Sequence, residues 1–469
     1  MRCVLVVLDG LRPDLVTPRL MPHLARLAGR GTRFAAARSV FPSETRVATA
    51  SLVTGCRPDG HGLVANTLFD AALTPERLLR TDRPADLRLL AGGAPSPLRR
   101  PGLGEVLAAA GRSLAVVSTG TPGQTLLAHP QAEALGAFRW NAEDTETEAA
   151  RLIAARLGPT PPAAVPNLAR IAHAARALTE VVLPGLAPDI TLLWCSEPDL
   201  SFHYRGLLAP EARAALAAAD AALGRVLAWR EAQPDAAEIV VMALSDHGHV
   251  TGHRRLDVAA ELRRGGFAAG QGMAGEVEVV VAPAAAPGLW LRDAALAPRL
   301  AAFLAAQPWA GPLLARDAAL LPEALPLALL EAAHPRSPDL VLLLAGEEGP
   351  DAWGLPGRAP FDAPSVPEGG GMHGGLHRRE LATVLVAEGG PFRPAATVRA
   401  ACDLADIAPT LLHLLGLAAG EMRGRVLREG WEAAADAPPE AERIVLPRGF
   451  VLEAARQAGR LYPTGLRRG

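Results

Sequence analysis

Residues 3–10, CVLVVLDG, carry the clearest indication of the fold class in this chain. Six apolar residues, three of them valine, run without interruption and stop at Asp9 and Gly10. A short run of this kind is typical of a strand buried on both faces, as strands of parallel sheets are. The sequence therefore predicts a buried parallel strand with a polar residue at its carboxyl end.

Further apolar runs of this kind follow along the chain, at residues 114–118, 190–195, 238–244, 278–282, 340–344 and 382–387. Helical patterns lie between them, at residues 210–232, 256–264 and 404–415. Strands that alternate with helices predict an α/β fold with a mostly parallel central sheet and helices on both faces, a three-layer sandwich.

Length and composition fix the scale of the molecule. The chain has 469 residues, of which 49% are hydrophobic, so it can bury a large core and form two or three units. The Pro- and Gly-rich stretch 250–371 carries strand and helix signals of its own. We predict a catalytic core at 1–249 and 372–425, an inserted cap or substrate region at 250–371, and a C-terminal tail at 426–469.

Charge and residue usage exclude several classes of protein. The formal net charge is −2 and there are only two tyrosines, which argues against binding of nucleic-acid polymers. All 47 basic residues are arginine, which excludes P-loop ATPases, protein kinases and Schiff-base enzymes, because each needs a lysine amine. Neither a signal peptide nor an apolar run of about 18 residues is seen, so we expect a cytoplasmic location and no membrane partner.

Three of the predicted strands end in acidic motifs, marked by Asp9, Asp199 and Asp246-His247. If these strands are parallel and adjacent, the four side chains meet at one rim of the sheet, where ligands bind in such folds. His203 follows Asp199 by four residues, so one helical turn or a tight loop can point both at one ion. Carboxylate and imidazole groups suit zinc or a similar divalent cation.

A threonine and a glycine-dense loop add two candidate groups. Thr45 follows the helix-start signals Pro42 and Ser43, so its hydroxyl is expected at a helix N-terminus, where phosphate is stabilised. A nearby divalent ion would lower the pKa of this hydroxyl and make it a nucleophile, with Ser43 as the alternative. His373 lies in the glycine-dense loop 369–375, which permits close backbone approach. Three other histidines stay open as alternatives to it: His249, His253 and His377.

Six segments, taken together and in order, resemble the alkaline phosphatase superfamily, and within it the type I phosphodiesterase / nucleotide pyrophosphatase branch, which is related to phosphonoacetate hydrolase. They are VLVVLDGLRPD (4–14), FPSETRVATASLVTGCRPDGHGLVAN (41–66), EPDLSFH (197–203), LSDHG (244–248), GMHGG (371–375) and DLADIAPTLLHLLG (403–416). The resemblance implies an alkaline-phosphatase-like fold and a hydrolase of phosphodiesters or nucleotide pyrophosphates.

The resemblance also implies roles for individual residues. Two divalent ions would be bound. Both would be zinc, with manganese or iron as alternatives. One would be held by Asp9, Thr45, Asp246 and His247, and the other by Asp199, His203 and His373. Thr45 would attack phosphorus to give a phosphothreonine, and Asn66 would donate a hydrogen bond to a phosphoryl oxygen.

Two residues depart from the family pattern. Glu44 stands where many members have lysine, and Arg46 stands where they have an aromatic residue that packs on the nucleotide base. We therefore expect a small phosphorylated substrate, with Arg46 as a candidate contact for a second anionic group. Hydrolysis of phosphonates or phosphomonoesters on the same metals stays open, as does a degenerate, metal-stabilised binding protein.

Overall fold

The computed structural model describes residues 1–469 and has an eight-stranded sheet at its centre. In chain order its strands are β1 (Arg2–Leu8), β2 (Thr32–Phe34), β3 (Leu114–Ser118), β4 (Arg139–Asn141), β5 (Ile190–Cys195), β6 (Ile239–Leu244), β7 (Leu385–Glu388) and β8 (Ala396–Val398). Their order across the sheet is β8-β2-β7-β6-β1-β5-β3-β4. Strands β6, β1, β5, β3 and β4 are mutually parallel, which confirms the predicted mostly parallel sheet.

Alternate side chains of β1 enter two different cores. Cys3, Leu5 and Val7 pack on one face of the sheet. Val4, Val6 and Leu8 pack on the other. Each of the six is at most 1% exposed, as a strand covered on both faces requires. The uninterrupted apolar run of residues 3–8 therefore reflects two cores, and the sandwich has three layers.

Helices cover both faces of the central sheet. The first face is covered by Thr45–Thr54, Pro84–Ala91, Leu103–Ala109 and Ile407–Leu414. The second face is covered by Pro22–Arg30, Glu148–Leu157, Leu168–Arg176 and Pro210–Glu231. None of the helices combines the length and the apolar composition that crossing a bilayer would take.

A second sheet, of six strands, lies within residues 269–344. Its strands, in spatial order, are Ala269–Gly270, Val279–Ala282, Gly288–Leu291, Leu340–Leu344, Ala310–Ala315 and Leu325–Pro326. The helices Val258–Arg264 and Ala297–Ala305 pack on it through a separate apolar core. A four-stranded sheet links this region to the centre; its strands are Glu347–Pro350, Pro356–Phe361, Val250–Arg255 and Gly371–Met372.

The end of the chain forms a three-stranded antiparallel sheet. Its strands are Glu440–Leu446, Phe450–Gln457 and Arg460–Arg468. The last strand returns to the centre of the molecule, where the backbone N–H of Leu466 donates to the Leu376 carbonyl at 2.7 Å. The Tyr462 hydroxyl lies 3.2 Å from Asp406 Oδ2. This sheet therefore packs beside the glycine-dense loop 369–375.

Candidate active site

Strands β6, β1 and β5 lie side by side and end at the same edge of the central sheet. Because they are parallel, the residues that follow them come together there. His247 Nε2 lies 3.5 Å from Asp9 Oδ1 and 3.3 Å from Asp246 Oδ2. All three side chains are buried. The adjacency on which the predicted rim depends is therefore present.

A short helix, Asp199–Arg205, supplies the next pair of groups. It begins at Asp199, and His203 comes one turn later, so both side chains lie on one face of the helix. His203 Nε2 lies 3.3 Å from Asp199 Oδ1. The spacing of four residues therefore brings the two groups together, as expected.

The glycine-dense loop delivers His373 to the same place. His373 Nε2 lies 3.4 Å from Asp199 Oδ1 and 3.2 Å from His203 Nε2. Gly374, which follows it, has φ of +125°, a conformation that residues with a side chain rarely adopt. The glycine therefore allows the turn that points His373 inward.

Thr45 begins the helix Thr45–Thr54, as its start signals predict, and its hydroxyl faces the cluster. Thr45 Oγ1 lies 3.2 Å from His247 Nε2. The alternative hydroxyl, Ser43 Oγ, instead donates to the Gly375 carbonyl at 3.0 Å and accepts from the Gly374 N–H at 3.1 Å. Ser43 therefore ties down the glycine-dense loop, and Thr45 is the hydroxyl in contact with the cluster.

Of the three alternative histidines, only His249 reaches the site. Its Nε2 lies 3.1 Å from Asp199 Oδ1, and the ring is fully buried. His377 instead caps the helix Arg378–Leu381 and pairs with a glutamate outside the cluster, and His253 is exposed. His249 and His373 both lie at the site, although the sequence suggested them as alternatives to each other.

A signal for His249 was present in the sequence. It follows His247 by two residues in Asp246-His-Gly-His249, at the start of an extended segment. Residues i and i+2 of an extended chain point to the same side. The spacing of His247 and His249 therefore favours two histidines at one site.

Four imidazoles turn Nε2 into the cluster. In each ring Nδ1 lies against a backbone carbonyl, which only accepts, so Nδ1 carries a proton. The four donations are His203 to Gly371 at 2.6 Å, His247 to Gly248 at 3.1 Å, His249 to Gly10 at 2.8 Å and His373 to Ser43 at 2.9 Å. In the neutral form of each ring, Nε2 is therefore the nitrogen whose lone pair faces the aspartates.

The aspartates bring more acceptors to the same point. Four buried atoms there have no hydrogen-bond partner: Asp9 Oδ1, Asp199 Oδ1, Asp246 Oδ2 and His249 Nε2. Buried acceptors left unpaired are costly, and cations satisfy such a convergence. Carboxylate oxygens with imidazole nitrogens, each ring held by a backbone carbonyl, suit zinc and related divalent cations. The residues present therefore fit a metal centre.

Two groups of candidate ligands lie next to each other. Within each group the ligand atoms are within 4.8 Å of one another. One group is Asp9, Asp246 and His247; the other is Asp199, His247, His249 and His373. The ring of His247 stacks on that of His373, with centroids 3.5 Å apart. The cluster therefore offers more ligand atoms than a single ion needs.

The pKa values of the buried groups in the cluster are shifted from their usual values. Burial and the neighbouring Asp246 raise the pKa of Asp9 well above its usual value. Burial raises the pKa of Asp246 to about 7. Burial would also raise the pKa of Asp199, but the nearby His203 and other histidines hold it well below its usual value. Burial lowers the pKa of His247, which keeps the ring neutral. Without a cation, the carboxylates therefore compete for protons.

Asn66 lies beside the start of helix Thr45–Thr54, and the backbone orients its amide. Its Oδ1 accepts from the Arg46 N–H at 3.1 Å. The Asn66 N–H in turn donates to the buried carboxylate of Glu44, whose pKa is raised by burial. Because Oδ1 is engaged, the Nδ2 donors are the end of the amide left for an oxyanion.

Two cavities lie next to the cluster. The apolar cavity, of about 160 Å³, is lined by residues of the core and of the second sheet, among them Phe41, Trp290, Val341 and Met372. The polar cavity, of about 370 Å³, borders Thr45 and is lined among others by Arg46, Thr119, Thr121, Asn167 and Arg170. The polar cavity borders Thr45, whereas the apolar cavity borders Glu44, His203 and His373, so two chemically different spaces lie next to the cluster.

Comparisons with known proteins indicate a family. The family model described as type I phosphodiesterase / nucleotide pyrophosphatase matches residues 3–349. A bis(5'-adenosyl)-triphosphatase of Xenopus laevis is 36% identical over 70 residues, which are 15% of this chain and 16% of that protein. The venom phosphodiesterase of Macrovipera lebetinus is 33% identical over 72 residues, which are 15% of this chain and 8% of that protein. The matched segment thus spans about one sixth or less of the length of these relatives.

Solved structures show the same fold. Murine ectonucleotide pyrophosphatase / phosphodiesterase 5 superposes with a TM-score of 0.64 at 17% identity, covering 90% of this chain and 97% of that one. An inactive threonine-to-alanine variant of the same murine protein, in complex with AMP, gives a TM-score of 0.65 at the same identity and coverage. The likeness confirms the alkaline-phosphatase-like architecture.

Proposed function

Because this chain belongs to the type I phosphodiesterase / nucleotide pyrophosphatase family, we propose that it hydrolyses phosphodiesters or phosphoanhydrides with two divalent cations and a covalent phosphothreonine at Thr45. The observation that carries the proposal is the convergence of unpaired acceptors at the edge of the sheet, with Thr45 Oγ1 at 3.2 Å from His247 Nε2. A nucleophile beside a cation site is what phosphoryl transfer requires.

The cations have ligands of a suitable kind. Asp9, Thr45, Asp246 and His247 would hold one cation; Asp199, His203 and His373 would hold the other, with His249 as a further nitrogen beside Asp199. When bound, such cations neutralise charge on phosphoryl oxygens and lower the pKa of a neighbouring hydroxyl.

The residues of the chain then have defined roles. Thr45 Oγ1 gives its proton to solvent and attacks phosphorus; the Oγ1–P bond forms, and the bond from phosphorus to the leaving oxygen breaks. The leaving oxygen takes up a proton from solvent. Water next attacks phosphorus and gives a proton to solvent; the Oγ1–P bond breaks, Thr45 Oγ1 takes up a proton, and a phosphomonoester is released. Asn66 Nδ2 and the N-terminal N–H groups of helix Thr45–Thr54 stabilise the phosphoryl oxygens.

The names of similar proteins support this reaction. The relative from Xenopus laevis is named a bis(5'-adenosyl)-triphosphatase, and the one from Macrovipera lebetinus a phosphodiesterase. The murine structure with AMP is of an inactive threonine-to-alanine variant. Applied to this chain, these names favour cleavage of phosphoanhydride or phosphodiester bonds and a threonine that is essential for activity.

The test combines metal analysis with a panel of substrates. Metal content is measured by mass spectrometry, and hydrolysis is measured on bis-p-nitrophenyl phosphate, p-nitrophenyl phosphate, a nucleotide p-nitrophenyl ester and phosphonoacetate. Thr45→Val removes the hydroxyl and keeps the side-chain shape, whereas Thr45→Ser keeps a hydroxyl. We expect close to two ions per chain, diester cleavage reduced at least about 10³-fold in Thr45→Val, and partial activity in Thr45→Ser.

Acid quenching during turnover adds a direct readout of the covalent step. Phosphate should be found on the peptide that contains Thr45, and it should be absent in Thr45→Val. Wild-type activity in Thr45→Val would contradict the phosphothreonine. A preference for the monoester or for phosphonoacetate would keep the nucleophile and replace the diester as substrate.

A further inference from the structure

An arginine that makes no direct ion pair lines the polar cavity beside Thr45. Arg46 follows Thr45 and lines this cavity. Its guanidinium forms no ion pair and no hydrogen bond with the protein, and its Nε is shielded from solvent. Burial also lowers the pKa of Arg46. A shielded guanidinium without a partner costs free energy, which a bound anion would recover.

A second arginine lines the same cavity. Arg170 donates from Nε to the Pro161 carbonyl at 2.9 Å, and its side chain is only 13% exposed. Its nearest carboxylate, Glu143 at 3.8 Å, is 53% exposed, so this ion pair is loose. Asn167 Oδ1, also on this cavity, is buried without a partner. Besides Asp9 and Asp199, the charged residues that line this cavity are therefore Arg46, Arg170 and the exposed Glu143.

The polar cavity does not suit a nucleotide base. None of its fifteen lining residues is aromatic, so a base has no ring on which to stack. The apolar cavity, which borders Glu44 and His373, is lined by no arginine. Of the two cavities, only the polar one therefore offers guanidinium donors.

We infer that the polar cavity binds a second oxyanion of the substrate, a carboxylate or a phosphate on the group attached to the reacting phosphorus, through Arg46 and Arg170. The inference rests on the proposed function, because it names the substrate class for the same nucleophile. A guanidinium presents paired N–H donors that match carboxylate and phosphate oxygens. A volume of about 370 Å³ admits a substituent of several heavy atoms.

The test uses three diesters with the same p-nitrophenyl leaving group. The second substituent is ethyl, 2-carboxyethyl or 2-phosphooxyethyl, so the last two separate carboxylate from phosphate. We expect the better of the two anionic esters to exceed the ethyl ester in kcat/KM by at least about tenfold in the wild type. This ratio should fall by at least about tenfold in Arg46→Met, and by less in Arg46→Lys and Arg170→Met.

Matched controls separate this effect from loss of charge or of structure. Arg151→Met removes one positive charge at an exposed position outside the cavity and should leave the ratio unchanged. A ratio within one variant is insensitive to the fraction of folded or metal-loaded protein. No preference in the wild type, or the same preference in Arg46→Met, would overturn the inference. An equal loss on all three esters in Arg46→Met would also overturn it, since the arginine would then contact the transferred phosphoryl group.

Failure of the proposed function gives a different result. In that case the wild type hydrolyses none of the three esters, and calorimetry with 2-carboxyethyl phosphate decides the inference. The titration compares Thr45→Val with the double variant Thr45→Val/Arg46→Met. A Kd at least about tenfold weaker in the double variant supports the anion site. Equal Kd values in the two proteins overturn it.

Discussion

The side chains of His249 and Asp199 face each other, and each presents a hydrogen-bond acceptor to the other. His249 Nε2 and Asp199 Oδ1 are 3.1 Å apart, and neither has a hydrogen-bond partner. The proton of the ring is on Nδ1, which donates to the Gly10 carbonyl at 2.8 Å. Burial lowers the pKa of His249 to about 4, so the ring is neutral near pH 7. A bound cation would stabilise two acceptor atoms that face each other, which makes His249 a candidate ligand.

Replacing His249 should therefore weaken metal binding. We expect His249→Leu to raise the Kd of the more weakly held ion by at least about tenfold, because a nitrogen that faces Asp199 is lost. Competition with a chromophoric chelator measures this Kd without reference to activity. His253→Leu is the matched control, because that histidine is exposed and lies outside the cluster. Equal metal affinity in His249→Leu and the wild type would contradict the assignment.

Asn66 can be tested with two substitutions of different size. Asn66→Ala removes both the donors and the acceptor, and we expect kcat/KM for a diester to fall about 10²–10³-fold. Asn66→Asp keeps an acceptor for the Arg46 N–H but has no Nδ2 donors and adds negative charge. If Asn66 serves the phosphoryl group, Asn66→Asp is at least as impaired as Asn66→Ala. Recovery of activity in Asn66→Asp would show that Asn66 only positions Arg46.

Sequence patterns predicted where the strands lie along the chain better than they predicted the order and direction of the strands in the sheet. The runs at 114–118, 190–195 and 340–344 match strands residue for residue. The run at 382–387 corresponds to β7 (Leu385–Glu388), which is antiparallel to β6. An apolar run carries no information on direction. Neighbours in a sheet are chosen by contacts distant in sequence, which periodicity does not encode.

The end of the chain shows a second limit of sequence patterns. Residues 440–446 form a strand, although most of their side chains are exposed or only partly buried and several are charged. A strand with little buried surface lacks the alternation that reveals a strand in a sequence. The pairing of His249 with Asp199 was missed for a related reason, since it joins residues 50 positions apart. The strand-end motifs of Asp9, Asp199 and Asp246 succeeded because parallel topology converts sequence position into spatial proximity.

Asp246 should contribute less to the stability of the metal-free protein as pH rises. In that form burial raises the pKa of Asp246 from 3.8 to about 7, so the folded state holds a proton that the unfolded state releases. The stability contributed by this proton is fully present below about pH 4 and is lost as pH rises through about 7. With metal bound the sign reverses, because the ligands must be deprotonated to bind. Thermal unfolding across this range, with chelator and with zinc, measures both trends.

One variant isolates the contribution of the site. Burial also raises the pKa of Asp362, outside the cluster, to about 6, so the wild type alone does not identify the titrating group. In chelator, the Tm of Asp246→Asn minus the Tm of the wild type should therefore rise between about pH 4 and pH 7, because the variant has no carboxyl group to titrate at this position. A difference that does not change with pH would place the pH dependence elsewhere in the chain.

A buried charge cluster connects three parts of the chain. They are the segment after helix Thr45–Thr54, the region of the second sheet and the last strand. Arg57, which is 2% exposed, donates from Nε to Asp403 Oδ2 at 2.8 Å and from Nη1 to Glu331 Oε1 at 2.9 Å. Arg460, in the last strand, donates from Nε to the same oxygen of Glu331 at 2.9 Å. Burial opposes ionisation of Asp403, but Arg57 and Arg460 hold its pKa below the usual value. The charge of Asp403 therefore depends on these arginines.

Removing Arg57 should destabilise the protein far more than removing an exposed arginine. We expect Arg57→Met to lower the free energy of unfolding by about 3–5 kcal/mol, because it leaves the Asp403 carboxylate buried without its closest partner. The control, Arg264→Met, removes an exposed pair with Glu261 and should change it by less than about 1 kcal/mol. Urea unfolding measures both. The double variant Arg57→Met/Asp403→Asn should recover part of the loss, since it removes the orphaned charge. A double variant less stable than Arg57→Met would mean that Asp403 acts through contacts other than this ion pair.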